Sequence, residues 1–266
     1  MAIHVALGSW ADPEYAGLTY PRGFASDLRL SAYAQWFDLA EVNATYYQLP
    51  KRASVEKWLA ATPDSFRFNI RLHRITSQSP AKATEGRALK LTLEALEPMF
   101  RSKRLGTFLL VLPPIFAPAR HTLEELDGVI ETLRPHRLAV ELRHSDWVAG
   151  DARKATLDFF RARKITWIAV DMPRIADSEL MPPLDEVTDS RLAYLRLHGR
   201  NSAWAPGLTA AEKHTYAYSE EELVELIARV RTLAKKAEEV HVLANNHSGD
   251  FAPRTALALK EALGLF

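Results

Sequence analysis

The chain has 266 residues, 47% hydrophobic and 25% charged, with a net charge of +1. That is the balance of an ordinary globular protein, and the near-zero net charge argues against a broad electrostatic footprint for nucleic acid. The absence of cysteine excludes disulfides, thiolate metal sites and a cysteine nucleophile, which leaves His, Asp and Glu as the strong metal ligands.

In chain order, short strand-like segments alternate with longer helical ones. The start, Met1-Ala-Ile-His-Val, has no basic region and no long apolar run, so neither a signal peptide nor a membrane span is expected, and a cytoplasmic location is the default expectation. The first strand is predicted over Ile3–Gly8, followed by a long loop, Ser9–Asp27. Leu30, Tyr33, Ala34 and Phe37 have helical spacing ahead of a second strand, Leu39–Asn43. A third strand spans Phe66–Leu72, then Leu89, Leu93, Leu96 and Phe100 mark a helix, and a fourth strand spans Gly106–Leu112. Thr122 and Glu125 form a capping box that opens the next helix. Strand five, Leu138–Leu142, precedes a helix over Asp151–Lys164, and strand six is Ile165–Asp171. Pro173, Pro182 and Pro183 leave room there only for a loop or short helix. Strand seven is Leu192–Leu197, a loop covers Gly199–Tyr218, and a second capping box, Ser219 with Glu222, opens another helix. Strand eight, Val240–Asn245, and a helix over Pro253–Leu263 complete the chain. No linker, repeat or low-complexity segment divides it.

Eight β-then-α units at this length predict one (β/α)8 TIM barrel over residues 1–266, with a doubly wound open sheet as the alternative. No Gly-rich phosphate or dinucleotide motif follows the first strand. Three strands are unusual. Arg67-Asn69-Arg71-His73, Ala139-Glu141-Arg143 and Tyr194-Arg196-His198 each put ionic residues on one face and apolar residues on the other. A buried parallel sheet is normally apolar on both faces. A polar second face must line a cavity, pair with itself or bind something.

Extended to the other strand ends, the same parity gives a polar set that includes Trp10, Glu41, Asn43, His73, Asp171, Asn245, Asn246 and His247. Arg71, Arg143 and Arg196 are forked cations suited to a carboxylate or phosphate, so a small polar or anionic ligand is the first candidate. The competing reading is an internal ion-pair network with Glu41, Glu141 and Asp171. Glu41 and Glu141 are the candidate acid/base pair, and Arg143, two residues away, should lower the pKa of Glu141 and favour a base or nucleophile. His198 is the candidate acid or shuttle. Asn43, Asn245 and Asn246 would orient a ligand, and Trp10, Tyr46, Trp147 and Trp204 would stack on a ring.

Two other classes compete. Glu41, Glu141, Asp171, His198 and His247 would be the ligands of a metal-dependent isomerase or hydrolase. No paired-histidine spacing is present among them, however, and interleaved arginines repel a divalent cation. Nucleotide or single-stranded nucleic-acid binding without catalysis is compatible with the arginines and aromatics but is not favoured. The reading adopted is an enzyme working by acid/base chemistry on an anionic or carbohydrate-like substrate, with no organic cofactor and no metal ligands assigned.

The block Leu30-Ser-Ala-Tyr33-Ala-Gln-Trp-Phe37-Asp-Leu-Ala-Glu41-Val-Asn43-Ala-Thr45-Tyr46-Tyr47-Gln-Leu-Pro50 resembles the signature of the YecE-like family of unknown function. Gly8-Ser9-Trp10, Tyr20-Pro21, Glu141-Leu142-Arg143-His144 with Trp147, Arg196-Leu197-His198-Gly199 and Asn245-Asn246-His247 fall in the same order. The resemblance covers nearly the whole chain and implies a TIM barrel without supplying a reaction. Arg71 stands where the family would have lysine, and Thr255 where it often has asparagine.

Overall fold

The computed structural model describes residues 1–12, 15, 19–175, 178–203, 209–246 and 249–266, with the backbone alone for 210 and 211. Trp204 and His247 lie outside the described residues. Eight parallel strands form the wall of a barrel: β1 (Ala2–Leu7), β2 (Leu39–Val42), β3 (Arg67–Arg71), β4 (Leu105–Val111), β5 (Leu138–Glu141), β6 (Thr166–Asp171), β7 (Ala193–Leu197) and β8 (Glu239–Ala244). Each lies within about two residues of its predicted span.

The helices between them are α1 (Arg29–Tyr33), α2 (Arg52–Ala60), α3 (Arg74–Gln78), α4 (Arg87–Arg101), α5 (Asp127–Leu133), α6 (Ala152–Arg163), α7 (Ala210–His214), α8 (Glu220–Ala234) and α9 (Phe251–Leu263). Both expected capping boxes form. Glu125 accepts from the Thr122 N–H at 3.0 Å, although the turn it opens is 3-10 before α5 begins, and Glu222 accepts from the Ser219 N–H at 2.9 Å. Among the described residues no helix separates β6 from β7, as the prolines require.

The hydrogen-bonded ladder runs from β2 through β3 to β8 and on to β1. β1 and β2 lie side by side without a ladder, and side chains close this seam instead. The buried Tyr33 hydroxyl accepts from the Leu7 N–H at 3.0 Å and donates to the Leu39 carbonyl at 2.8 Å. Below it His4 Nδ1 lies 2.7 Å from Asp38, and above it Asn43 Nδ2 donates to the Gly8 carbonyl at 2.8 Å.

Register decides which residues enter the barrel. Glu41 is level with Asn69, Val111 with Glu141, Tyr194 with His241, and Val170 with Arg196. The intervening residues, among them Phe68, Ile70, Leu110, Val140, Leu195 and Val242, are buried under the helices. The barrel centre therefore carries Glu41, Asn69, Glu141, Tyr194, Arg196 and His241, where barrels usually stack branched aliphatic side chains.

One expectation is corrected by the same register. Asp171 is level with Leu197, not with Arg196. It therefore belongs to the outer face, where Arg229 of α8 donates to it at 2.8 Å, Arg200 at 2.9 Å and the Tyr218 hydroxyl at 2.8 Å. Alternation with Val170 placed it on a face, but the phase was the wrong one.

Candidate functional site

At the C-terminal ends of the strands the polar interior opens into a cavity of about 350 Å³. This is the end at which barrel enzymes carry their chemistry. Its floor is an ion cluster. Arg196 donates to Glu41 Oε1 at 2.7 Å through Nη2 and to Glu141 Oε2 at 2.5 Å through Nη1. All three side chains are almost completely buried. The remaining oxygens are also satisfied: Tyr194 donates to Glu41 Oε2 at 2.8 Å, Asn43 Nδ2 to Glu41 Oε1 at 2.8 Å, and Arg143 Nε to Glu141 Oε1 at 2.6 Å.

Burial opposes ionisation of Glu141, but Arg196 and Arg143 outweigh it and hold its carboxyl well below the usual range. The same pairing acts on Arg196, where Glu41 and Glu141 more than offset burial and raise its pKa.

Arg71 is different. It lines the cavity at the end of β3, with its guanidinium 4.0 Å from the Tyr46 ring centroid and Nη1 donating to Asn43 Oδ1 at 3.1 Å. It makes no ion pair among the described residues, and its buried Nε has no partner. Burial, with Arg196 and Arg143 adding like-charge repulsion, brings it down to about 10. Arg196 Nε and Asn246 Oδ1 are also buried at the cavity without partners.

His198 follows β7 and is fully buried. Asn245 Nδ2 lies 3.3 Å from its Nδ1, while its Nε2, 3.4 Å from Glu141 Oε2, makes no hydrogen bond. Burial lowers its pKa despite the nearby Glu141, so the imidazole is neutral near pH 7. Asn246 donates to the Tyr216 carbonyl at 2.8 Å and to Thr255 Oγ1 at 3.2 Å, so the threonine supplies a contact where the family often has an amide. Gly8 is dictated by space, since a Cβ there would come within 2.4 Å of Asn245 Oδ1 and 3.0 Å of Asn43 Nδ2.

The structure thus brings Arg71, Arg143, Arg196, Asn43, Tyr46, Asn245 and Asn246 to the cavity, with Glu41, Glu141 and His198 packed behind its wall. It does not bring Trp10 or Trp147. Trp10 packs edge-on against Trp58 and Phe68, over the outer face of the sheet. Trp147 is buried, stacks on Phe116 and donates its indole N–H to the Phe116 carbonyl at 2.7 Å. Both are packing residues. His73 turns its Nδ1 to the start of α3, accepting from the Ile75 N–H at 3.4 Å.

Sequence reasoning missed Asp12, Tyr15, Tyr47 and His214, which also line the cavity. Their one sequence signal was the position of Asp12, Tyr15 and His214 in the two long loops that follow β1 and β7.

Known proteins agree with this architecture. A family model described as "Protein of unknown function DUF72" matches residues 4–265. The UPF0759 protein YunF of Bacillus subtilis (strain 168) is 26% identical, across 99% of this chain and 95% of its own. The crystal structure of a DUF72 family protein from Thermotoga maritima MSB8 is 29% identical with a TM-score of 0.88, covering 99% of this chain and 100% of that one. A DUF72 family protein from Enterococcus faecalis V583 is 28% identical with a TM-score of 0.88, covering 99% and 96%. A xylose isomerase domain containing protein from Salmonella typhimurium LT2, at 12% identity and a TM-score of 0.52 over 98% and 94%, shares the fold alone. The family match spans nearly every residue, and the YecE-like signature is another name for the same group: this chain belongs to the DUF72 family.

Proposed function

We propose that the cavity is the active site of an enzyme that binds a small anionic, carbohydrate-like substrate and works by proton transfer. The observation that carries this reading is Arg71, a half-buried cation at the cavity with no carboxylate partner among the described residues and a buried, orphaned Nε. Among the described residues Arg71 pairs with no carboxylate, and Glu41 and Glu141, the two carboxylates at the floor, are already engaged by Arg196. A phosphate or carboxylate group seated against Arg71 and Arg143 would give Arg71 a counter-charge and its idle N–H a partner.

Glu141 is the base in this reading. It stays ionised over the working pH range, and its pairing with the half-buried Arg143 is the one contact a bound anion would compete for. His198, neutral and with a free Nε2, is the group placed to relay the proton. Asn245 and Asn246 would fix the substrate's hydroxyls.

The test is calorimetric titration with phosphate, sugar phosphates, short carboxylic acids and an oligonucleotide, on the wild type and on Arg71→Gln. Saturable binding of one small anion, lost in Arg71→Gln, is expected. Binding that requires polymer length and falls steeply with salt would replace this reading with nucleic-acid recognition. No binding at all would leave the cluster as a structural network.

A further inference from the structure

The opposite end of the barrel carries a second cluster that the cavity chemistry does not use. β1 and β8 run in register there, His4 level with His241 and Ala2 with Glu239. Glu239 Oε1 lies 2.8 Å from His241 Nε2 and 3.6 Å from His4 Nε2, and each of the three side chains offers a ligand atom within 4.8 Å of those of the other two. Among the described residues this is the one group of three such side chains that converge so closely.

We propose that these atoms bind a divalent transition-metal ion of the zinc class at the floor of the barrel. Two imidazole nitrogens and one carboxylate oxygen are a donor set for zinc and its neighbours, not for magnesium or calcium, which take oxygen ligands. Bonds of about 2.0–2.1 Å in tetrahedral geometry hold neighbouring ligand atoms about 3.4 Å apart. The His4–Glu239 spacing of 3.6 Å is close to that, and the His241–Glu239 contact of 2.8 Å would have to open by about half an ångström.

The outer partners fit the same reading. His4 Nδ1 lies 2.7 Å from Asp38 Oδ2, and Arg137 donates to Glu239 Oε2 at 2.6 Å. A carboxylate on the far nitrogen of a histidine is the usual arrangement behind a metal ligand. On the His241 side, Asn69 Nδ2 lies 3.0 Å from Nδ1, and the buried Asn69 Oδ1 has no partner. A histidine that binds metal through Nε2 carries its proton on Nδ1 and needs an acceptor beyond it. A half-turn of the Asn69 amide supplies one from the oxygen that is idle.

Asp38 and Glu239 bring two negative charges to the cluster, one of them shared with Arg137. Of the other cations at this end, Arg191 pairs with Asp189, while Arg67 donates to the Asp64 and Ser65 carbonyls and keeps its charge beside His4. His4 and Glu239 border a cavity open at the barrel floor, which gives the ion a route in and leaves a coordination position for water. An ion here would tie β1 to β8 beside the β1–β2 seam.

The experiment is zinc titration of chelator-stripped protein by competition with a chromophoric chelator, with cobalt(II) absorption as a spectroscopic readout. One zinc per chain is expected, with cobalt bands that zinc bleaches. His4→Gln and Glu239→Gln should each weaken binding by more than the roughly 10–100-fold that follows loss of an outer-shell partner, with unchanged far-UV circular dichroism. His121→Gln, which removes a similar His–Glu pair elsewhere, should bind as the wild type does. Wild-type affinity in His4→Gln, or no stoichiometric binding in the parent protein, would overturn the proposal. His4 is partly exposed, so this variant decides the question even if Glu239→Gln does not fold.

Discussion

Glu141 is a buried charge and Arg71 a half-buried one, and the structure assigns them opposite energetic roles. Glu141 bridges Arg196 and Arg143. Replacing it with Gln leaves the buried Arg196 and the half-buried Arg143 short of a counter-charge, so Glu141→Gln is expected to cost about 3 kcal/mol, read from the urea unfolding midpoint. Arg71 has no such partner, and its pKa is depressed by burial and by its two arginine neighbours. Arg71→Gln keeps an N–H for Asn43 and removes that repulsion, so its melting temperature should match or exceed the wild type's while anion binding disappears. A marked loss of stability in Arg71→Gln would mean that the arginine is a structural element after all. Strand alternation was enough to single out Glu41, Glu141, Arg71, Arg143 and Arg196, because a charge on one face of an otherwise apolar strand is costly and conspicuous. It anticipated Arg143 beside Glu141 but could not show that Arg196 bridges Glu41 and Glu141, since those pairs span the barrel between β2, β5 and β7. It also misjudged Asp171, Trp10 and Trp147, whose facing depends on register and loop path, which local spacing does not carry.

At the level of elements, the seam between β1 and β2 is the departure from a fully laddered barrel, and Tyr33 of α1 spans it with one hydroxyl. Its buried position suppresses ionisation, so the hydroxyl keeps the proton it donates to Leu39. In Tyr33→Phe the Leu7 N–H and the Leu39 carbonyl lose that partner inside the core. Leaving buried backbone groups unpaired costs about 1–3 kcal/mol each, so a loss of about 2 kcal/mol or more is expected in chemical denaturation. Native-state hydrogen exchange should localise the change to the amides of β1 and β2. A loss below about 0.5 kcal/mol would show that the seam is not held by this contact. The strands themselves were legible because each apolar run is short and bounded by turn residues. The seam was not, because Tyr33 shares its helical spacing with ordinary core residues. The helix α7 was overlooked although Thr209 and Glu212 form a capping box around its first turn; its five residues carry no apolar period to support the signal.

Across the whole molecule the polar interior is continuous from floor to cavity. Asp38 meets His4, His4 approaches Glu239, Glu239 meets His241, and Asn69 and Tyr194 carry the chain on to Glu41 and Arg196. The titratable members of this column give the fold a stability optimum near neutral pH. Burial lowers the pKa values of His198 and His241 below the ordinary 6.5, against the pull of Glu141 and Glu239. The unfolded chain therefore takes up protons at these two positions before the native protein does. Their contribution is complete above about pH 6.5 and declines below it, at up to about 1.4 kcal/mol per pH unit for each group. His4 has the opposite sign. Asp38 and Glu239 outweigh burial and raise its pKa, so its contribution is complete below about pH 6.5 and is lost as pH rises through its native value. Glu141 and Glu239 are both depressed, and their contribution is lost only below about pH 4.5. Urea midpoints measured between pH 4 and 9 in the presence of a chelator should therefore pass through a maximum near neutrality. His4→Gln should flatten the alkaline limb and leave the acid limb in place. A wild-type protein that grows steadily more stable from pH 7 to pH 5 would show that the two buried imidazoles are not held neutral, and that the column is more hydrated than its packing indicates.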